Sequence, residues 1–123
     1  MKLHESGENY LESILVLQRQ HGIARSIDVA HDLNVSKPSV SRAISNLKQA
    51  GYVEIGEANQ LLLTESGRKI AEYVYEKHCL LKNYLLSIGV SEETAAIDAC
   101  RMEHVISEET FEQLKQEYLS KKK

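Results

Sequence analysis

The segment Asp98-Ala99-Cys100-Arg101-Met102-Glu103-His104 is the densest chemical signal in this chain. Cys100, Glu103 and His104 stand at i, i+3 and i+4, so a helix here puts all three on one face. Thiolate, carboxylate and imidazole are side chains that a divalent first-row metal accepts. His78 lies on the preceding stretch of helical pattern and can approach that face. Glu8, Asn9 and Glu12 repeat the i+3 and i+4 spacing near the N-terminus, so three helices can converge on one cluster. Spacing alone leaves a blander reading open. Cys100 can be a small core residue. Glu103, His104 and Glu12 can belong to surface pairs, and His78 can be a core histidine bonded to a carbonyl. Cys79 points away from His78 and reads as packed.

Catalysis has little to rest on. The sequence contains no Gly-rich phosphate loop, no nucleophile elbow and no HExxH. Cys100 with His104 imitates a thiol–base pair, but helix neighbours held in this way rarely leave room for a substrate. The expectation is a protein that is not an enzyme and has no small-molecule substrate.

A second set of residues points to DNA. From Leu33 to Val53 there is no acidic residue, while Lys37, Arg42 and Lys48 supply positive charge. A helix over this stretch exposes Ser36, Lys37, Ser39, Ser41 and Arg42, with Pro38 in its first turn. An α-helix fits the major groove, and its N-terminal residues reach base edges. Arg can pair bidentately with guanine, and Ser and Lys can hold phosphates or bases. Arg25 precedes the second helix and can hold a backbone phosphate. A solvated polar face is the competing reading. The hairpin pattern that follows favours DNA contact.

The elements that must position these groups are legible as periodicity. Tyr10, Leu11, Ile14, Leu15 and Leu17 have helical spacing, ended by Gly22. Ser26 is expected to cap a second helix, with Val29, Ala30 and Leu33 inward. Ser36 is expected to cap a third, with Val40, Ala43, Ile44 and Leu47 buried and Gly51 as its stop. The period then falls to two. Tyr52–Ile55 and Gln60–Leu63 flank Gly56-Glu57-Ala58-Asn59 and read as a hairpin. Thr64 caps a long helix reaching Ile88-Gly89, Ser91 caps the next and Ser107 the last, with Lys121-Lys122-Lys123 frayed. The order helix, helix, turn, helix, two strands, helix is that of a winged helix-turn-helix. Helices beyond it extend the core or make a dimer.

Composition narrows the class. The 123 residues are 42% hydrophobic and 27% charged, as in an ordinary folded protein. A formal charge of −3, from 18 acidic and 15 basic residues, excludes a histone-like polycation. One Pro and six Gly leave no long linker. No apolar run approaches a membrane span and MKLHESGENY lacks a signal-peptide core, so a cytoplasmic protein that does not engage membranes is expected. Cys79 and Cys100 then read as reduced thiols or ligands.

On these residues the chain resembles the diphtheria-toxin-repressor and manganese-transport-regulator family of metal-dependent repressors. GENYLESILVL resembles the family's first helix and SIDVAHDLNVSKPSVSRAISNLKQAGYV its helix-turn-helix. LLLTESGRKIA resembles the end of the wing and the start of the long helix, and ACRMEHVIS is the most specific match. The resemblance implies a mostly α fold: a winged helix-turn-helix DNA-binding domain over residues 1–72, then a helical metal-binding and dimerisation domain over residues 73–123. It implies a homodimer on a double-stranded operator, repressing metal-uptake genes when a divalent metal binds.

The ligands it implies are Cys100, Glu103 and His104, with His78 and Glu12 as a second group. Asn9 falls where iron-type members have Met and manganese-type members Asp. Lys82 and Ala96 replace the ancillary-site ligands of longer members, and no SH3-like third domain is expected. Cys100, a soft ligand where manganese-type members have Glu, favours Fe(II). Glu12 and His78 suit Mn(II), the close alternative. The competing functions are a metal-independent dimeric winged-helix DNA-binding protein and a thiol redox-responsive regulator.

Overall fold

A computed structural model describes residues 5–121. The elements run α1 (Glu5–His21), α2 (Ser26–Leu33), α3 (Lys37–Gln49), β1 (Val53–Ile55), one 3₁₀ turn (Glu57–Asn59), β2 (Leu61–Leu63), α4 (Glu65–Ser87), α5 (Glu92–Val105) and α6 (Glu108–Lys121). The mostly α winged-helix order read from the sequence is the observed one. Two compact units divide within α4, one ending at Tyr73 and the other beginning at Val74.

In the first unit, α1 packs on α2, α3 and β2, and α3 packs on α2 and β1. Leu11, Ile14, Val29, Val40, Val53 and Leu61 are 0–1% exposed. Burying a side chain of this size stabilises by about 1.5–3 kcal/mol, whereas a helix cap contributes about 1 kcal/mol. Packing therefore sets the fold, and the caps set where each helix starts.

Ser36 caps α3 by accepting from the Ser39 N–H at 3.3 Å, and Pro38 lies in the first turn. α3 stops at Gly51, whose φ of +87° is open only to a residue without Cβ strain. The Tyr52 N–H then reaches the Leu47 carbonyl at 2.9 Å. The cap of α2 differs from expectation. Ser26 is its first helical residue and Arg25 is the N-cap. Asp28 reaches back, its Oδ2 accepting from the Arg25 N–H at 3.0 Å.

The hairpin pairs Val53 with Leu63, Glu54 with Leu62 and Ile55 with Leu61, antiparallel. An isolated bridge between Arg25 and Gln60 ties the start of α2 to this wing. Thr64 starts α4 as expected. Its Oγ1 accepts from the Gly67 N–H at 3.1 Å and donates to the Gly51 carbonyl at 2.7 Å.

In the second unit, Val74, Leu81, Ala95, Ala99 and Phe111 are buried. Ser91 accepts from Thr94 N–H and Ser107 from Thr110 N–H, capping α5 and α6 as expected. The C-terminal part of α4 and α6 are joined by Lys115–Glu76 at 3.0 Å and by Tyr84 against Tyr118, with ring centroids 6.2 Å apart. Lys121 is the last residue of α6, rather than part of a frayed end. Lys122 and Lys123 lie outside the described residues. Among the described residues no helix is long and apolar enough to cross a membrane.

Candidate metal centre and nucleic-acid interface

α5 turns Ala95, Ala99 and Glu103 inward at i, i+4 and i+8, all 0% exposed. Two alanines and a carboxylate thus share one buried stripe. A buried charge is costly unless partnered. Glu103 Oε1 lies 3.2 Å from His78 Nδ1, carried by α4. Glu103 Oε2 is buried and has no hydrogen-bond partner among the described residues. His78 is half-buried, with its Nδ1 against this carboxylate.

Cys100 and His104 flank Glu103 on the same helix, Cys100 exposed and His104 half-buried. Exposure removes the reading of Cys100 as a core residue, and complete burial removes that of Glu103 as a surface ion pair. One donor atom from each of Cys100, Glu103 and His104 lies within 4.8 Å of the others. Donors around a transition ion with bonds of about 2.0–2.3 Å stand roughly 3–4 Å apart, so side-chain rotation closes the set. A sulfur, a nitrogen and a carboxylate oxygen fit a divalent transition ion. Asn9 and Glu12 are half-buried on α1, one turn apart in the other unit. Among the described residues neither Cys79 nor Cys100 is in a disulfide, and Cys79 is half-buried.

The candidate DNA residues gather on and beside α3. Val40, Ile44 and Leu47 face inward, while Lys37, Pro38, Ser41, Arg42 and Lys48 are exposed. Ser39 is half-buried, and its hydroxyl accepts from Ser36 Oγ at 2.8 Å, so these two serines serve the helix start. Ser45 and Asn46 are exposed one turn beyond Arg42. Sequence reasoning missed them, although i+3 and i+4 spacing from Arg42 marks them. Among the described residues Lys37, Arg42 and Lys48 make no side-chain ion pair or hydrogen bond.

Arg25 is exposed, and its Nε donates to the Ala58 carbonyl at 3.1 Å, holding the wing tip. A cleft of about 460 Å³ lies among Arg25, Ser26, Ser41, Ile55 and Asn59. The wing exposes Glu54 and Glu57, so the positive face of this unit is α3 rather than the wing.

Residues 2–59 match the family model described as the iron-dependent repressor N-terminal DNA-binding domain. Residues 64–120 match the iron-dependent repressor metal-binding and dimerisation domain. Transcriptional regulator MntR of Escherichia coli O6:H1 is 40% identical over 105 residues, covering 85% of this chain and 68% of that protein. The chain belongs to the iron-dependent repressor family. An uncharacterised HTH-type transcriptional regulator of Methanocaldococcus jannaschii is 32% identical, with 92% of each chain covered. The solved manganese regulator SloR superposes with a TM-score of 0.80 at 26% identity, covering 98% of this chain and 55% of SloR. This chain thus spans about half the SloR chain. Family membership makes it a metal-dependent, DNA-binding transcriptional regulator with a dimerisation domain, and not an enzyme.

Proposed function

We propose that this chain represses metal-uptake genes when a divalent ion binds at Cys100, Glu103, His104 and His78. The observation that carries this is the fully buried Glu103, with one oxygen on His78 and the other without a hydrogen-bond partner among the described residues. An ion supplies the missing charge compensation. Family resemblance adds Glu12 and Asn9 as ligands, and their assignment rests on that resemblance alone. Metal then needs only to favour the DNA-competent form of the dimer for coupling to follow.

The thiolate of Cys100 supports Fe(II) as the sensed ion. Mn(II) is the second reading, favoured by the likeness to the manganese regulator SloR. Residues 1–72 form the DNA-binding domain in this reading, and residues 73–123 the metal-binding and dimerisation domain. Lys37, Pro38, Ser41 and Arg42 face the major groove. Lys48, Arg25 and the α3 N-terminus with Ser36 and Ser39 hold phosphates. The protein works in the cytoplasm, where its operator lies.

The test is anaerobic titration of the apo-protein with Fe(II) or Mn(II) against duplexes selected from a randomised pool. Binding that appears only with metal is expected, at lower free Fe(II) than Mn(II). Equal binding with and without metal overturns the sensor reading. A lower threshold for Mn(II) overturns the choice of ion alone.

A further inference from the structure

α3 presents a narrow choice of side chains to a base pair. Its outward residues are Lys37, Pro38, Ser41 and Arg42 through the first two turns, then Ser45 and the shorter amide Asn46 in the third. Pro38, Ser41 and Ser45 are short. Lys37 opens the helix and carries a point charge suited to phosphate. Arg42 alone combines length with a planar fork of donors. Among the described residues its guanidinium makes no ion pair or hydrogen bond. No carboxylate lies between Leu33 and Val53 to draw it back onto its own helix. Every other arginine of the first unit placed N-terminal to it is engaged: Arg19 with Glu72 at 3.5 Å and Arg25 with the Ala58 carbonyl at 3.1 Å.

We propose that Arg42 reads a guanine in the major groove of each operator half-site, donating two hydrogen bonds to its O6 and N7. The short neighbours let the helix approach closely enough for that fork to reach the base edge. Arg42 is therefore the specificity-determining residue, and the selected sites carry one G·C pair per half-site whose identity depends on it. Two-fold symmetry of the dimer repeats that pair in the second half-site. The inference rests on the proposed repressor function, because it needs α3 to face DNA.

A glutamine in place of Arg42 has the geometry to pair with adenine N6 and N7 instead. The experiment is anaerobic selection from a randomised duplex pool, with Fe(II) and separately with Mn(II), using wild type, Arg42→Gln and Arg42→Lys. Arg42 is exposed, and far-UV circular dichroism checks that the variants fold. Wild type is expected to enrich a symmetric motif with a guanine in each half. Arg42→Gln is expected to change that one pair to A·T, with a loss of roughly 10- to 100-fold on the original site. Arg42→Lys should lose discrimination at the same pair.

An unchanged motif, with uniformly weaker binding and a salt slope reduced by about one, makes Arg42 a phosphate contact and overturns the inference. Failure of wild type to enrich any motif with metal overturns it together with the repressor function.

Discussion

Glu103 occupies a place that helical spacing reserves for an apolar side chain. It continues the Ala95–Ala99 stripe and is 0% exposed. A buried carboxylate carries a desolvation cost that a neutral amide of the same shape largely avoids, and among the described residues only one oxygen of Glu103 has a hydrogen-bond partner. Metal-free Glu103→Gln is therefore expected to melt at or above metal-free wild type. Bound metal reverses the order. At a free ion concentration 100 times Kd, wild type gains about 2.7 kcal/mol, and the variant gains little. Differential scanning calorimetry with and without Mn(II) checks both halves. A metal-free Glu103→Gln protein that melts far below wild type would mean that the carboxylate is already satisfied by the protein.

Cys100 sets the metal preference at the same scale. Its sulfur is the softest donor in the set, and exposure on α5 lets a longer side chain replace it without repacking. Carboxylate favours Mn(II), whereas thiolate favours Fe(II). Cys100→Glu is expected to lower the Mn(II) concentration that activates operator binding relative to Fe(II), by at least tenfold. Anaerobic binding titrations measure the ratio. An unchanged ratio removes Cys100 from the ligand set.

At the scale of elements, the meeting of the wing with α4 depends on one missing atom. A Cβ on Gly67 would lie 2.1 Å from the Tyr52 carbonyl oxygen, which is backbone and cannot rotate aside. Thr64 ties the same corner by bonding to Gly51 and Gly67. Gly67→Ala is expected to destabilise by roughly 1–3 kcal/mol, the usual range for overpacking. Urea unfolding gives the number. A change below about 0.5 kcal/mol would mean that α4 can slide on the wing.

Gly67 is also where legibility ended. Helix spacing, the Ser36, Thr64, Ser91 and Ser107 caps and the change of period at Tyr52 are local, and each marked its element in the sequence. Gly67 sits in the first turn of a helix, and its role depends on a carbonyl 15 positions earlier in the chain. The cap of α2 was misplaced by one residue for a related reason. Ser26 has the higher intrinsic cap propensity, but bridging to Gln60 holds Arg25 extended, and Asp28 supplies the capping oxygen. At the candidate site, spacing alone put Cys100, Glu103 and His104 on one face. The orphaned Glu103 oxygen follows from long-range packing and is invisible to periodicity.

For the whole molecule, operator affinity depends on two copies acting together. α5 exposes Ile97 and Val105 at 49% and 77%, eight residues apart and so on one face. Isolated exposed apolar residues are ordinary, but these two lie in the segment matching the family's dimerisation domain. A dimer engages its second half-site as an intramolecular event, which raises apparent affinity by roughly 10²–10⁴ without any new contact to DNA. The Ile97→Glu, Val105→Glu double variant is expected to sediment as a monomer and to lose operator affinity by at least 100-fold. Cys100, Glu103 and His104 stay unaltered in it, so its thermal shift with Mn(II) should remain near that of wild type. This separates loss of dimerisation from loss of the metal site. A variant that sediments as a dimer and binds operator normally would move the subunit interface off this face of α5. Retained operator affinity in a proven monomer would mean that one half-site suffices, and the two-fold reading of the operator would fall with it.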